Sequence, residues 1–472
     1  MRLRKLSRAR AITLGYAALT GGAALAGALT LSAELLPASI ADFWWIAPAS
    51  LIVILSLVMC SGLWTAAGAY VAVFWCFHFG LITVLGFGVV QPAELSPWDQ
   101  MWVLGPFAGD AGLLALVGLT AFASGASLVN GIGVSASQRA PRDADEPAHP
   151  HSIAGPALVL AAIALWCGIV LTASGAGGFF TSYEEYLDAT ANFGGMLAFV
   201  WVALSCGLVL SVTGAAGWLR TNAMAAFGCL AMLALPLGLR GEIMFPSIGA
   251  LVAAARCGRV LSPAKTSAFV AALLIVIPAV REVRNTGVQG LSEMVLDLHM
   301  FDAFAEMGGS LHPVEKVVRW RAEGDPLEMG ATYWAPIERG AARVLPGLQT
   351  SVAEDDMRIM NVLVTDRVVP IGFSPVAEAY RNFGAPGVAI ALGLLGAALA
   401  WIDRIPDRRL AVLGIATLYV PILANVRNSF VSVPLQCMLG LAFVLGLHVI
   451  RHVSASVRCR SYACSPYVRR QI

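Results

Sequence analysis

Runs of about 20 apolar residues, the length a helix needs to cross a bilayer, recur from one end of this chain to the other. Twelve are read, at 12–32, 43–60, 63–89, 108–131, 153–173, 193–216, 222–239, 243–256, 265–281, 386–402, 409–426 and 432–450. In lipid every backbone polar group must be satisfied within the protein, and a helix does this segment by segment. Composition agrees: of 472 residues, 58% are hydrophobic and 13% charged, against about 25% charged in a soluble domain. The expected fold class is an all-α polytopic membrane protein with about 12 transmembrane helices and one large helical outer loop. The eighth run is short and holds Pro246, so a tilted, broken or re-entrant segment is expected there, and the third is long enough to kink.

The N-terminus reads MRLRKLSRAR before its first apolar run. That run exceeds the roughly 7–15 residues of a signal-peptide core, so it reads as an uncleaved first span. Counting Lys and Arg in short loops places both termini in the cytoplasm. Residues 1–137 then hold helices 1–4, 138–152 a cytoplasmic linker and 153–281 helices 5–9. Residues 282–385 form an extracytoplasmic loop with amphipathic helices, 386–450 hold helices 10–12, and 451–472 are a basic cytoplasmic tail. The linker marks a boundary between two helical sub-bundles. The net charge of +2 carries no nucleic-acid signal, and nine scattered cysteines, none in the outer loop, argue against a disulfide framework.

The outer loop is too long to be structureless, and from Arg284 to Arg381 it holds nine basic and 14 acidic residues. Helical spacing of Leu291, Met294, Leu298, Phe301 and Phe304 or Ala305 predicts a helix over 291–307. Ser351-x-x-Glu354 is a capping-box pattern and predicts another. Both are expected on or over the outer membrane surface.

Charge at the outer boundary carries the functional reading. Arg240 and Arg427 are the two arginines of the short outer turns, where a cation is costly without a task or partner. Arg240 either pairs with Glu242 or binds an anionic phosphate, which a bidentate guanidinium suits. Arg281 and Arg284 are phosphate ligands or a snorkelling cuff. In GFSPVAEAYRNFG, Ser374-Pro375 starts a helix. Ser374, Glu378 and Arg381 form one stripe of it beside Asn382, and Gly384, Pro386 and Gly387 break it. That stripe is either an interfacial anchor or a catalytic face. His299 and His312 are the outer histidines, able to serve as bases near neutral pH. Tyr183, Tyr186 and Phe193 either stack on sugars or form an aromatic belt. No nucleotide-binding loop, nucleophile elbow or metal motif appears, so no metal and no cofactor are expected.

Several stretches resemble the O-antigen polymerase (Wzy-type) oligosaccharide repeat-unit polymerases. They are GLRGEIMFP, FAEMGGSLHPVEKVV followed by GATYWAPIERGAARVLP, GFSPVAEAYRNFGAPG and LANVRNSF. The resemblance covers about 230–430, with the first half alike in hydropathy. It implies a membrane glycosyltransferase of the bacterial cytoplasmic (inner) membrane that polymerises polyprenyl-diphosphate-linked oligosaccharides into a surface polysaccharide, without a cofactor. Partners would be a flippase and a chain-length regulator of the same pathway. Arg240 and Arg427 would stabilise the leaving diphosphate. Glu378 is the leading base, with Glu242, Glu306 and His299 behind. Arg281, Arg284, Tyr333, Ser374, Arg381 and Asn382 would contact substrate. An O-antigen-ligase-like transferase and a transporter or flippase are the alternatives.

Overall fold

The computed structural model describes residues 2–33, 39–132, 153–215, 217–259, 261–262, 264–269, 271–272, 301–342, 345, 347, 355–368 and 371–463. Among them every regular element is a helix. Seven helical segments are long and apolar enough to cross a membrane: Ala9–Ala33, Ala66–Gly86, Ala108–Ile132, Ala154–Ser174, Tyr183–Gly214, Pro375–Arg404 and Phe430–Leu447.

Five of the twelve expected runs fall outside that set, four of them for physical reasons. Helix α2 (Ile46–Ser61), after α1 (Arg2–Ala33), has 16 residues. Gly217–Ala234 carries Arg220 and Asn222 in its first turns. Arg240–Arg256 has 17 residues and runs unbroken through Pro246, so the expected break is absent. The run at 409–426 splits into Arg408–Gly414, a π-helical turn at Ile415–Tyr419, and Val420–Ala424. Most of 265–281 lies outside the described residues, as does the linker at 138–152.

Helices α3 (Ala66–Gly86), α4 (Pro97–Val103), α5 (Ala108–Ile132), α6 (Ala154–Ser174), α7 (Tyr183–Thr190), α8 (Gly194–Gly214), α9 (Gly217–Ala234) and α10 (Arg240–Arg256) follow in order. The third run forms α3 without a kink. Two apolar cores result. One gathers α1, α2, α3 and α5 around Tyr70, Phe74, Phe122 and Leu114, and the other joins α6, α8 and α9 through Trp166, Leu204, Leu208 and Phe227. Lipid offers no hydrophobic drive between spans, so close backbone approach at small residues does the work. A Cβ on Gly125 would strike the carbonyl of Gly393, and one on Gly396 the carbonyl of Phe122.

The segment between α10 and Ser374 supplies α11 (Asp302–Met307), α12 (His312–Ala322), α13 (Ala331–Ala342) and α14 (Met360–Arg367). These do not lie loosely over the bundle. Gly308 packs on Leu81 of α3, Gly80 on the Phe304 carbonyl, and Phe304 sits edge-on to Trp75 at 6.0 Å. The expected 291–307 helix is described from Asp302 onward. The Ser351–Glu354 pattern lies outside the described residues; the next described α-helix is Met360–Arg367.

Helix α15 (Pro375–Arg404) starts as its sequence predicts, with Ser374 capping the Val376 N–H at 3.1 Å. It is two helices meeting at Gly384, whose φ of 68° lies where a side chain is disfavoured. At its far end Asp403 accepts from the N–H groups of Ala66 and Ala67 at 2.7 and 3.0 Å, capping α3 from across the bundle. Helices α16 (Arg408–Gly414), α17 (Val420–Ala424) and α18 (Val433–Ala463) complete the chain.

Candidate functional site

A turn through Gly238 brings the chain out of α9 and into α10 at Arg240. The residue before the helix, Leu239, contributes no side-chain cap, so the first N–H groups of α10 keep their positive field. Arg240 adds a cation at this same end. A helix start normally recruits an anion; here Glu306 on α11 supplies one, 2.5 Å from Arg240 Nη2. The pair is incomplete. Among the described residues, Arg240 Nη1 and Glu306 Oε2 are buried without a hydrogen-bond partner.

This corner lines a cavity of about 490 Å³, and Arg427 lines it too. Arg427 is positioned by backbone: its carbonyl accepts from Phe373 N at 2.8 Å, and Gly372 passes so close that a Cβ there would sit 2.8 Å from that oxygen. Phe77, Phe227, Met244, Phe245 and Phe269 make much of the remaining wall apolar. A second cavity, of about 430 Å³, shares Gly241, Phe245, Ile371, Gly372 and Arg427 with the first. Its own wall is more mixed, with Tyr183, Glu242, Asn361, Asn428 and Gln436 among apolar residues such as Leu187, Trp201 and Val420. Burial raises the Glu242 carboxyl above the usual carboxylate range, against the opposing pull of its own N–H, Arg427 and Arg240.

The sequence-derived candidates therefore separate into two sets. Arg240, Arg427, Glu306 and Glu242 come together around the adjoining cavities. Arg240 pairs with Glu306, while Glu242 faces the second cavity. The Ser374–Asn382 stripe does not join them. Glu378 is buried, its Oε1 accepting from Thr332 Oγ1 at 3.0 Å and its Oε2 from Phe430 N at 2.7 Å. Asn382 holds Thr332 and Gly330 N. Arg381 pairs with Asp325 at 2.6 Å and Glu328 at 2.9 Å, and Ser374 meets His78 Nε2 at 2.7 Å. Since His78 Nδ1 must donate to the Phe74 carbonyl, Nε2 accepts from the Ser374 hydroxyl when the ring is neutral. Tyr333 stands edge-on to Phe430, 5.3 Å between centroids. These groups join α13 and α15 to the following turn. Ser374, Glu378, Arg381 and Asn382 are buried inside protein. Arg281, Arg284 and His299 lie outside the described residues.

Sequence reasoning passed over α4 entirely, yet Trp98, Asp99 and Trp102 line the first cavity, as does His312. Burial, with Lys316 and Arg319 nearby, pushes His312 down to about 3, so its ring is neutral near pH 7. Ser96-Pro97 before a short aromatic run is an N-cap signal that could have exposed α4. Of the acidic–aromatic patch, Tyr186 is core, taking the Trp166 N–H at 3.2 Å, whereas Tyr183 reaches the second cavity.

A family model described as O-antigen polysaccharide polymerase Wzy matches residues 157–456. Protein CapE of Staphylococcus aureus is 28% identical over 197 residues, 42% of this chain and 43% of that relative. The match thus spans less than half of that protein's length. No solved structure matches the chain.

Proposed function

The chain belongs to the O-antigen polysaccharide polymerase Wzy family, and on that premise we propose that it lengthens a polyprenyl-diphosphate-linked glycan at the outer face of the bacterial cytoplasmic membrane. The single observation that carries the reading is the convergence of Arg240 and Arg427 on one cavity at the uncapped start of α10. Two permanent cations and oriented N–H groups suit a diphosphate whose charge grows as it leaves. The apolar wall of this cavity suits the first isoprene units, and the polar groups of the second cavity suit an incoming sugar hydroxyl.

In this reaction the acceptor hydroxyl oxygen bonds to the anomeric carbon of the donor glycan. The carbon–oxygen bond to the diphosphate breaks, and its electrons leave with polyprenyl diphosphate. Glu242, rather than Glu378, takes the hydroxyl proton. It lines the second cavity next to Arg427, whereas both oxygens of Glu378 are taken by donors from neighbouring elements. Glu306 neutralises Arg240 until the diphosphate displaces it. Twelve spans, both termini in the cytoplasm, an outer location for 282–385 and collaboration with a flippase and a chain-length regulator complete the proposal.

The test is extension of a purified polyprenyl-diphosphate-linked repeat unit, supplied alone, by the purified chain. A ladder of lengthened lipid-linked products is expected; a ligase would leave this substrate unchanged. Arg240→Ala and Arg427→Ala should each reduce the rate about 10²-fold or more, with Arg240→Lys recovering part, since Lys lacks the planar fork. Wild-type rates in both alanine variants would remove the arginines from the site.

A further inference from the structure

We propose that Trp98, Trp102 and His312 form a saccharide-binding subsite, holding one sugar ring of the lipid-linked glycan beside the diphosphate; this rests on the reading above for the identity of the ligand. All three side chains line the first cavity together with Arg240 and Arg427. Trp102 is buried and stacks on the His312 ring, with centroids 5.1 Å apart and planes 11° from parallel. Trp98 meets the same ring edge-on at 5.5 Å and 75°, and is 42% exposed.

Local chemistry holds the arrangement in place. Ser96 caps α4 by accepting from Asp99 N at 3.1 Å, and its hydroxyl donates to Asp99 Oδ2 at 2.7 Å. Asp99 Oδ1 takes the Trp102 indole N–H at 3.3 Å. Pro313 follows His312 at the start of α12, fixing the backbone from which the imidazole projects.

Two features select a sugar over an isoprenoid chain. His312 is only 4% exposed, lines the cavity, and neither of its ring nitrogens has a hydrogen-bond partner among the described residues. A buried polar group left open at a cavity wall calls for a polar ligand. A neutral imidazole offers one donor and one acceptor, the pair that a sugar hydroxyl satisfies. Beside it the Trp98 ring offers an apolar face to the C–H surface of a pyranose, while Asp99 lines the same wall as a further acceptor. An isoprenoid would use the rings and leave the nitrogens unmatched; the apolar residues Phe227, Met244 and Phe269 of this cavity suit it better.

Trp98→Leu tests the proposal, because Leu keeps apolar bulk for a membrane-facing anchor and removes the aromatic face. Two probes are titrated against the full chain in nanodiscs: the polyprenyl-diphosphate-linked repeat unit, and the same polyprenyl diphosphate without sugar. The wild type should bind the glycosylated probe about tenfold more tightly or better, the effect of one well-placed aromatic contact with its hydrogen bonds. In Trp98→Leu this preference should vanish while affinity for the bare lipid stays unchanged, and Trp98→Phe should retain part of it. Equal affinities in the wild type, or a preference intact in Trp98→Leu, overturn the subsite. If the preference depends on Trp98 and the wild type extends nothing, the polymerase reading falls and the subsite stands.

Discussion

Glu242 and Glu378 both lie in the first turns of their helices, and their surroundings give them different work. Both oxygens of Glu378 are occupied by donors from neighbouring elements, whereas Glu242 faces a cavity beside Arg427. A base must be deprotonated to act. Since burial raises the Glu242 carboxyl, the extension rate should fall as pH drops through a value above the ordinary carboxylate range of about 4.3. Glu242→Gln should cost about 10²–10⁴-fold in rate and abolish that acid limb. The check is a pH–rate profile of both proteins on the lipid-linked repeat unit; an unchanged limb in the Gln variant would assign it to another group. Residue type and helical spacing made the Ser374–Asn382 stripe conspicuous in the sequence. They could not reveal that Thr332, Gly330 and Phe430 would fold over it, because those contacts join residues about 50 positions apart.

At the scale of elements, α15 shows what local sequence can and cannot dictate. Its start at Ser374-Pro375 and its break at Gly384 both follow from backbone chemistry, and both are present. Its N-terminal leg is a structural hub: Arg381 draws in Asp325 and Glu328, with the Trp320 ring 5.8 Å away. Glu378→Gln should therefore act on stability. A Gln amide must turn its NH₂ toward Phe430 N–H or the Thr332 hydroxyl, leaving a buried donor unmatched at about 1–3 kcal/mol. Thermal melts of the purified variant should show a lower midpoint, while the extension rate per folded protein stays within a few-fold of wild type. An unchanged midpoint with a rate loss of about 10²-fold or more would restore Glu378 as the base. Helix α14 is described from Met360. Before it, Arg358 Nε and Nη2 bond the two oxygens of Asp356, both at 2.9 Å, and Nη1 reaches Glu338 at 2.8 Å. That network ties the turn before α14 to α13.

Across the whole molecule, topology is the remaining proposal with a direct test. Glu323 and Asp355 are exposed, so cysteines placed there, in a chain whose exposed Cys60 and Cys229 are replaced by Ser, should react with an impermeant thiol reagent in intact cells. Labelling only after lysis would invert the proposed orientation. The sequence by itself determined the helical class, the approximate places of the apolar segments, the break at Gly384 and the singling out of Arg240 and Arg427 as cations beside apolar runs. These depend on hydropathy, backbone chemistry and charge, which are properties of short stretches. Tertiary structure alone decided which polar groups share a cavity. It set Arg240 against Glu306, 66 positions apart in sequence, turned Glu242 toward Arg427, closed the Glu378 carboxylate inside a hydrogen-bonded joint, and brought the unremarked Trp98 and Trp102 to His312. The physical reason is that a polar side chain's role depends on the donors, acceptors and empty volume around it, and in a helical bundle those come from segments far apart in the chain.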